Sequence, residues 1–258
     1  MLKGIDVSHW DSSELDITGV DFVICKATQG TTFIDNTFAR WMERTSGMLR
    51  GAFHFADGGN PEREAEFFNS TTRNYLGDFA PVLDFEIETD NPVQWVERWI
   101  SRYYELTGIW AVLYTGWQFP YPNMLNLFDD SWIPDFCPLW VARYPQPTIT
   151  RWIDRQFNGS AGAWGKPDIW QFTSELDLHG TPVDANIAYM SEIGFQALYG
   201  VDDMTVKELL DTQIPTAYGN MTVRDVLSWG YSYARDMQPV VFDLQKRVKE
   251  LEKRVKND

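Results

Sequence analysis

A chain of 258 residues, 44% hydrophobic and 23% charged, is long enough for one large globular domain with a small appendage and can bury a sizeable core. Its net charge of −15 argues against nucleic acid and anionic membrane surfaces as partners, and no apolar run approaches the ~18 residues of a membrane span. Two cysteines and three histidines without ligand spacing point to buried thiols rather than a disulfide or a structural zinc site, so no metal or cofactor is expected.

The start, Met1 to Asp6, enters a strand-like pattern at once, without the apolar segment of a signal peptide. Short apolar runs bounded by turn residues then place strands near 4–8, 21–27, 50–55, 81–87, 110–115, 138–142, 168–172 and 182–186. Helices are expected over Phe33–Ser46, Pro61–Asn74 and, most clearly, 92–107. In the last, Asn91 can cap, Pro92 fits the first helical position, Val93, Val96, Ile100 and Tyr103 form one stripe, and Gly108 is a stop. The stretch 116–165 holds Pro120, Pro122, Pro134, Pro138, Pro145 and Pro147 and should contain few helices. Strands alternating with helices indicate a parallel sheet with crossovers. About eight of them predict the α/β class, as an irregular (β/α)8-like barrel with reduced helices.

That barrel is expected to span 1–198. Beyond it, Met204–Leu210 is echoed by Met221–Leu227 at a period of seventeen residues, each copy beginning like a capping box. Two short helices around a break at Pro215–Asn220 follow, giving a small all-α module over 199–238. Over 239–258, Val241, Leu244, Val248, Leu251 and Val255 recur in steps of three and four. Such heptads suit a coiled-coil-like helix that makes a homo-oligomer, a dimer favoured; one amphipathic helix folded back on its own domain is the alternative.

The chemistry concentrates in Pro81-Val82-Leu83-Asp84-Phe85-Glu86. Strand period two puts Asp84 and Glu86 on one face and Leu83 and Phe85 on the other. Two adjacent carboxylates repel and resist desolvation, so a fold rarely pairs them for stability alone. One acid donating a proton while the other stays charged is the arrangement for cleaving a glycosidic bond.

Three ordered segments carry a resemblance: Gly4-Ile5-Asp6-Val7-Ser8-His9-Trp10, then Pro81–Glu86, then Ile169-Trp170-Gln171-Phe172 ahead of Pro182-Val183-Asp184-Ala185-Asn186. With Lys26–Gly30, Gly51–Ala56 and Leu139–Tyr144, they resemble glycoside hydrolase family 25, lysozymes that cleave peptidoglycan, over residues 1 to ~195. The resemblance implies hydrolysis of the β-1,4 bond between N-acetylmuramic acid and N-acetylglucosamine. It gives Glu86 the role of general acid and Asp84, Asp6 and Asp184 those of the other cleft acids. Either a carboxylate or the substrate's N-acetyl group is then the nucleophile of a retaining reaction.

Tyr114, Trp140, Tyr144, Trp170 and Gln171 are candidates to line the sugar cleft, though a Trp is as often core. Asp6 could instead cap a strand end, and Asp184 with Asn186 could form an Asx turn. His54 reads as a satisfied core or cleft histidine. Gln29 stands where family members often carry an acid. The expected protein is a phage-type endolysin, made in a host cytoplasm and acting on the wall's peptidoglycan strands after release, with no nucleic-acid or membrane partner. Rival readings are a chitinase-like N-acetylhexosaminidase and a non-catalytic carbohydrate-binding virion protein.

Overall fold

The computed structural model describes residues 1–200, 213–216 and 219–222. In chain order, the first unit contains β1 (Leu2–Val7), β2 (Phe22–Gln29), β3 (Phe33–Ile34), α1 (Phe38–Arg44), β4 (Leu49–Phe55), α2 (Pro61–Thr72), β5 (Ala80–Asp84), α3 (Pro92–Thr107) and β6 (Val112–Gly116). It continues through α4 (Ile133–Phe136), β7 (Leu139–Ala142), β8 (Ile169–Leu178), β9 (Thr181–Ala188) and α5 (Glu192–Gln196). Each of the eight expected strands is present. Hydrogen bonding runs β1-β9-β8-β7-β6-β5-β4-β2 and closes through β1 with β2, so the strands form a closed barrel.

The all-parallel expectation fails at one strand. β9 runs antiparallel to both β8 and β1. Leu178 pairs with Thr181 across His179 and Gly180, whose φ values of 54° and 90° make a tight left-handed turn. Two residues suffice for a hairpin but not for the crossover a parallel neighbour needs.

Alternation along the strands creates two apolar layers. Leu2, Phe22, Ile24, Leu49, Val82, Val112 and Ile169 fill the barrel, and Phe195 and Tyr199 join them. Ile5, Val23, Cys25, Leu83, Phe85, Leu113, Val141, Trp170 and Phe172 face outward, packing with Trp41, Phe68, Trp99 and Tyr103 from the helices. Gly4 takes an inward position at which a Cβ would lie 2.2 Å from the Phe22 ring. Burying such layers is the main force that closes the barrel.

Helix α3 has its expected bounds, with Pro92 in the first turn and Gly108 left-handed at φ 73°, although the Asn91 side chain makes no cap bond. Helix α1 is shorter than Phe33–Ser46. Asp35 accepts from the Thr37 backbone N–H and hydroxyl, an Asx turn that starts the helix late, and Phe33–Ile34 instead pair with β2. The helices of segment 116–165 are only α4 and short 3₁₀ turns, as its prolines predict. Both cysteines are buried thiols.

In the second unit, 202–258, strand β10 (Gln213–Thr216) pairs antiparallel with β11 (Gly219–Thr222). This corrects the all-α expectation at the predicted break and at the start of the second repeat copy. Ile214, Thr216 and Thr222 favour extended backbone. The rest of the seventeen-residue repeat and the coiled-coil-like helix over 239–258 lie outside the described residues.

Candidate active site

The barrel's inward positions turn from apolar to polar toward one end. On β5 the inward series is Ala80, Val82, Asp84, with Glu86 two residues further on, just past the strand. On β1 it is Leu2, Gly4, Asp6; on β8, Ile169 then Gln171. β9 reaches the same end from the opposite direction, so Asp184 pairs across from Asp6 in register. Reversing one strand is what brings an acid from its first half level with acids from the later halves of parallel strands.

These residues line a cleft of about 620 Å³ with Lys26, Phe53, Phe55, Tyr114, Trp117, Trp140, Arg143 and Tyr144. The four predicted acids therefore share one cavity. Of the predicted sugar-contacting side chains, Tyr114, Trp140, Tyr144 and Gln171 line it and Trp170 does not. Trp170 sits one residue off the inward parity, buried against Phe157 and Phe172, with Nε1 donating to the Arg143 carbonyl oxygen at 2.8 Å.

Asp6 is held by fixed donors. Gln171 Nε2 donates to both its oxygens, at 3.0 and 2.9 Å, and Asn186 Nδ2 donates to Oδ2 at 2.7 Å. Gln171 Oε1 in turn accepts from the hydroxyls of Tyr114, at 2.9 Å, and Tyr144, at 2.8 Å. Asn186 Oδ1 accepts from Trp140 Nε1 at 2.8 Å. Both amides are thereby oriented, nitrogen toward the carboxylate, by phenol and indole donors behind them. The Asx-turn reading of 184–186 does not hold: this is strand, and Asn186 is a fully buried member of the network.

Burial and mutual repulsion push all four acids up. Asp6 rises to about 6, chiefly by burial and against the pull of its amide donors. Burial, then the charge of Asp6, lifts Glu86 to about 7. Burial with Asp6, Asp11 and Glu86 lifts Asp184 to about 8. Asp84, 6% exposed, is raised by burial and by Glu86, with Lys26 pulling the other way. Its Oδ1 is buried and, among the described residues, has no hydrogen-bond partner. These groups titrate as a set, so at neutral pH the cleft holds protonated and ionised carboxyls side by side.

Gln29 accepts from Lys26 Nζ at 2.8 Å. A neutral amide thus occupies the place where an acid would neutralise the lysine, leaving its positive charge to act on Asp84. His54 lies outside the cleft, fully buried on the outward face of β4 between Thr28 Oγ1 at 2.8 Å and Glu64 Oε2 at 2.9 Å. Sequence reasoning missed Asn186, Lys26 and Arg143. The first two share inward parity with Asp184 and Ile24, a signal available once the strands are placed.

The profile for glycosyl hydrolases family 25 matches residues 5–181. The autolytic lysozyme of Clostridium acetobutylicum is 26% identical over 197 residues, covering 70% of this chain and 59% of that protein. The chain thus spans under two thirds of that relative. The N,O-diacetylmuramidase of Chalaropsis is 29% identical, covering 66% of this chain and 87% of the relative. The family 25 lysozyme of Aspergillus fumigatus superposes with a TM-score of 0.62 over 77% of this chain and 98% of its own, at 22% identity, a likeness of fold.

Proposed function

The chain belongs to glycosyl hydrolase family 25, and we propose that it hydrolyses the β-1,4 bond between N-acetylmuramic acid and N-acetylglucosamine in peptidoglycan. The observation that carries the reading is the convergence of Asp6, Asp84, Glu86 and Asp184 in one cleft with aromatic walls. Glu86 is the general acid. Raised to about 7, it still holds a proton near neutrality and gives it to the glycosidic oxygen as the bond to the anomeric carbon breaks. Asp84 and Asp184 face the positive charge that develops at the sugar; Asp184, raised to about 8, does so mainly as the protonated acid near neutrality, and the unpartnered Oδ1 of Asp84 is available to that charge or to the substrate's N-acetyl N–H. Asp6 is positioned by its amides and holds up the pKa of Glu86 by repulsion.

The reaction is retaining: a nucleophile, carboxylate or N-acetyl oxygen, attacks first, and water then displaces it with Glu86 as base. Tyr114, Trp140 and Tyr144 offer aromatic surface to the sugars. The wider role we propose is that of a phage endolysin reaching the wall after release, with 199–238 binding wall and 239–258 joining two copies. Doubling a binding module raises avidity for a repetitive polymer. Digestion of purified peptidoglycan tests the activity: borohydride reduction should label new muramic acid ends. New glucosamine ends, or none, would overturn it.

A further inference from the structure

From the construction around Arg143 we propose a carboxylate-binding subsite at the cleft lip, where its guanidinium takes the anionic substituent of a muramoyl residue. This rests on the muramidase reading and supplies its specificity. The Arg143 Cζ lies 3.7 Å from the centre of the Trp117 ring and 5.6 Å from that of Phe157. Asn158 Oδ1 accepts from one terminal nitrogen at 3.1 Å, and Gly159 leaves so little room that a Cβ there would come within 2.5 Å of the same nitrogen. The backbone is tied down as well: Arg143 N donates to the Gln171 carbonyl at 3.0 Å, and its own carbonyl accepts from Trp170. Stacked, fenced and anchored, the guanidinium is fixed in direction.

Its charge is unanswered. Asn158 is its one hydrogen-bond partner among the described residues, and no carboxylate there lies in ion-pair reach. Arg50, Arg98 and Arg102 all have such partners. Lys26, the other cation lining the cleft, is already bonded to Gln29 and lies over the Phe55 ring. A neutral N-acetylglucosamine polymer offers a fixed fork of donors hydroxyl and acetyl oxygens but no anion. A muramoyl unit brings a carboxylate into a cleft that already contains four acids, and a preorganised arginine offsets that repulsion while recognising the anion.

The carboxylate has two sources: the lactyl group of stem-free glycan, or the stem peptide. Binding is measured by calorimetry on the non-cleaving Glu86→Gln chain and on Glu86→Gln with Arg143→Gln. Probes are a stem-free muramoyl tetrasaccharide, the same with its carboxyls amidated, and a stem-bearing form. Amidation should weaken binding to the first chain ten- to hundredfold and leave the double variant's affinity unmoved. Arg143→Lys should recover part of the effect, since it keeps charge without the planar fork. If only the stem-bearing form discriminates the two chains, the stem is the source. Equal sensitivity to amidation in both chains, for every probe, overturns the subsite. Wild type that binds these glycans but releases no muramic acid ends overturns the muramidase reading instead, so the two failures are distinguishable.

Discussion

Replacing Asp184 by Asn should stabilise the protein at neutral pH, and the size of the effect follows from the cleft. A carboxyl raised from its usual 3.8 to about 8 in the folded state holds its proton over a range where the unfolded chain has lost it. The folded state then binds more protons than the unfolded, so stability falls as pH rises from about 4 toward 8. At about 1.4 kcal/mol per pH step, the ideal cost at pH 7 is on the order of 4 kcal/mol. Solvent reaches Asp184, and the repulsion is shared with Asp6, Asp11 and Glu86, so about half of it, ~2 kcal/mol, should be recovered by Asp184→Asn. Urea unfolding followed by tryptophan fluorescence at pH 4 and pH 7 measures it. The variant should match wild type at pH 4 and exceed it at pH 7. A variant equal to or weaker than wild type at pH 7, with no pH trend in the gap, would refute the claim that burial and repulsion dominate the cleft.

Three further outcomes follow. Because Glu86 must carry a proton and sits near 7, kcat/KM should fall above about pH 7 on muramoyl glycans; a rate flat to pH 9 would exclude that role. Glu64 accepts from buried His54 and from the backbone N–H groups of Asp57 and Gly59, so Glu64→Ala strands one buried donor and two part-buried ones. It should cost about 3 kcal/mol and lower Tm by roughly 6–12 °C, read by calorimetry; a shift under about 2 °C would contradict the network. Deleting 239–258 should lower the apparent mass by light scattering and weaken lysis of whole cells, and an unchanged mass would exclude assembly through that segment.

Much of the barrel was legible because strand period and turn residues carry it locally. Pro81–Glu86 shows its two faces in the order of its letters, and 92–107 shows both its ends. What the letters did not carry was direction. Nothing in 182–186 marks that strand as antiparallel; the sign lies in the His179-Gly180 turn, whose tightness forbids a crossover. Parity also decides Trp170 against Gln171. One faces the helices and the other the cleft, although both belong to the same motif. The hydrogen bonds that hold Asp6 join β1, β8 and β9 across more than 160 residues of chain, a link no local pattern contains. Arg143 was hidden for the same reason, since its stack on Trp117 and its fence at Gly159 come from separate loops.

Cleavage depends on Glu86 as proton donor, and Glu86→Gln tests that directly. The amide keeps shape and removes the transferable proton. On purified peptidoglycan, release of muramic acid reducing ends should fall by at least a hundredfold, within the range for losing a general acid, while circular dichroism and glycan binding stay those of a folded, substrate-competent chain. Wild-type rates in the variant would contradict the assignment of Glu86 and the mechanism built on it.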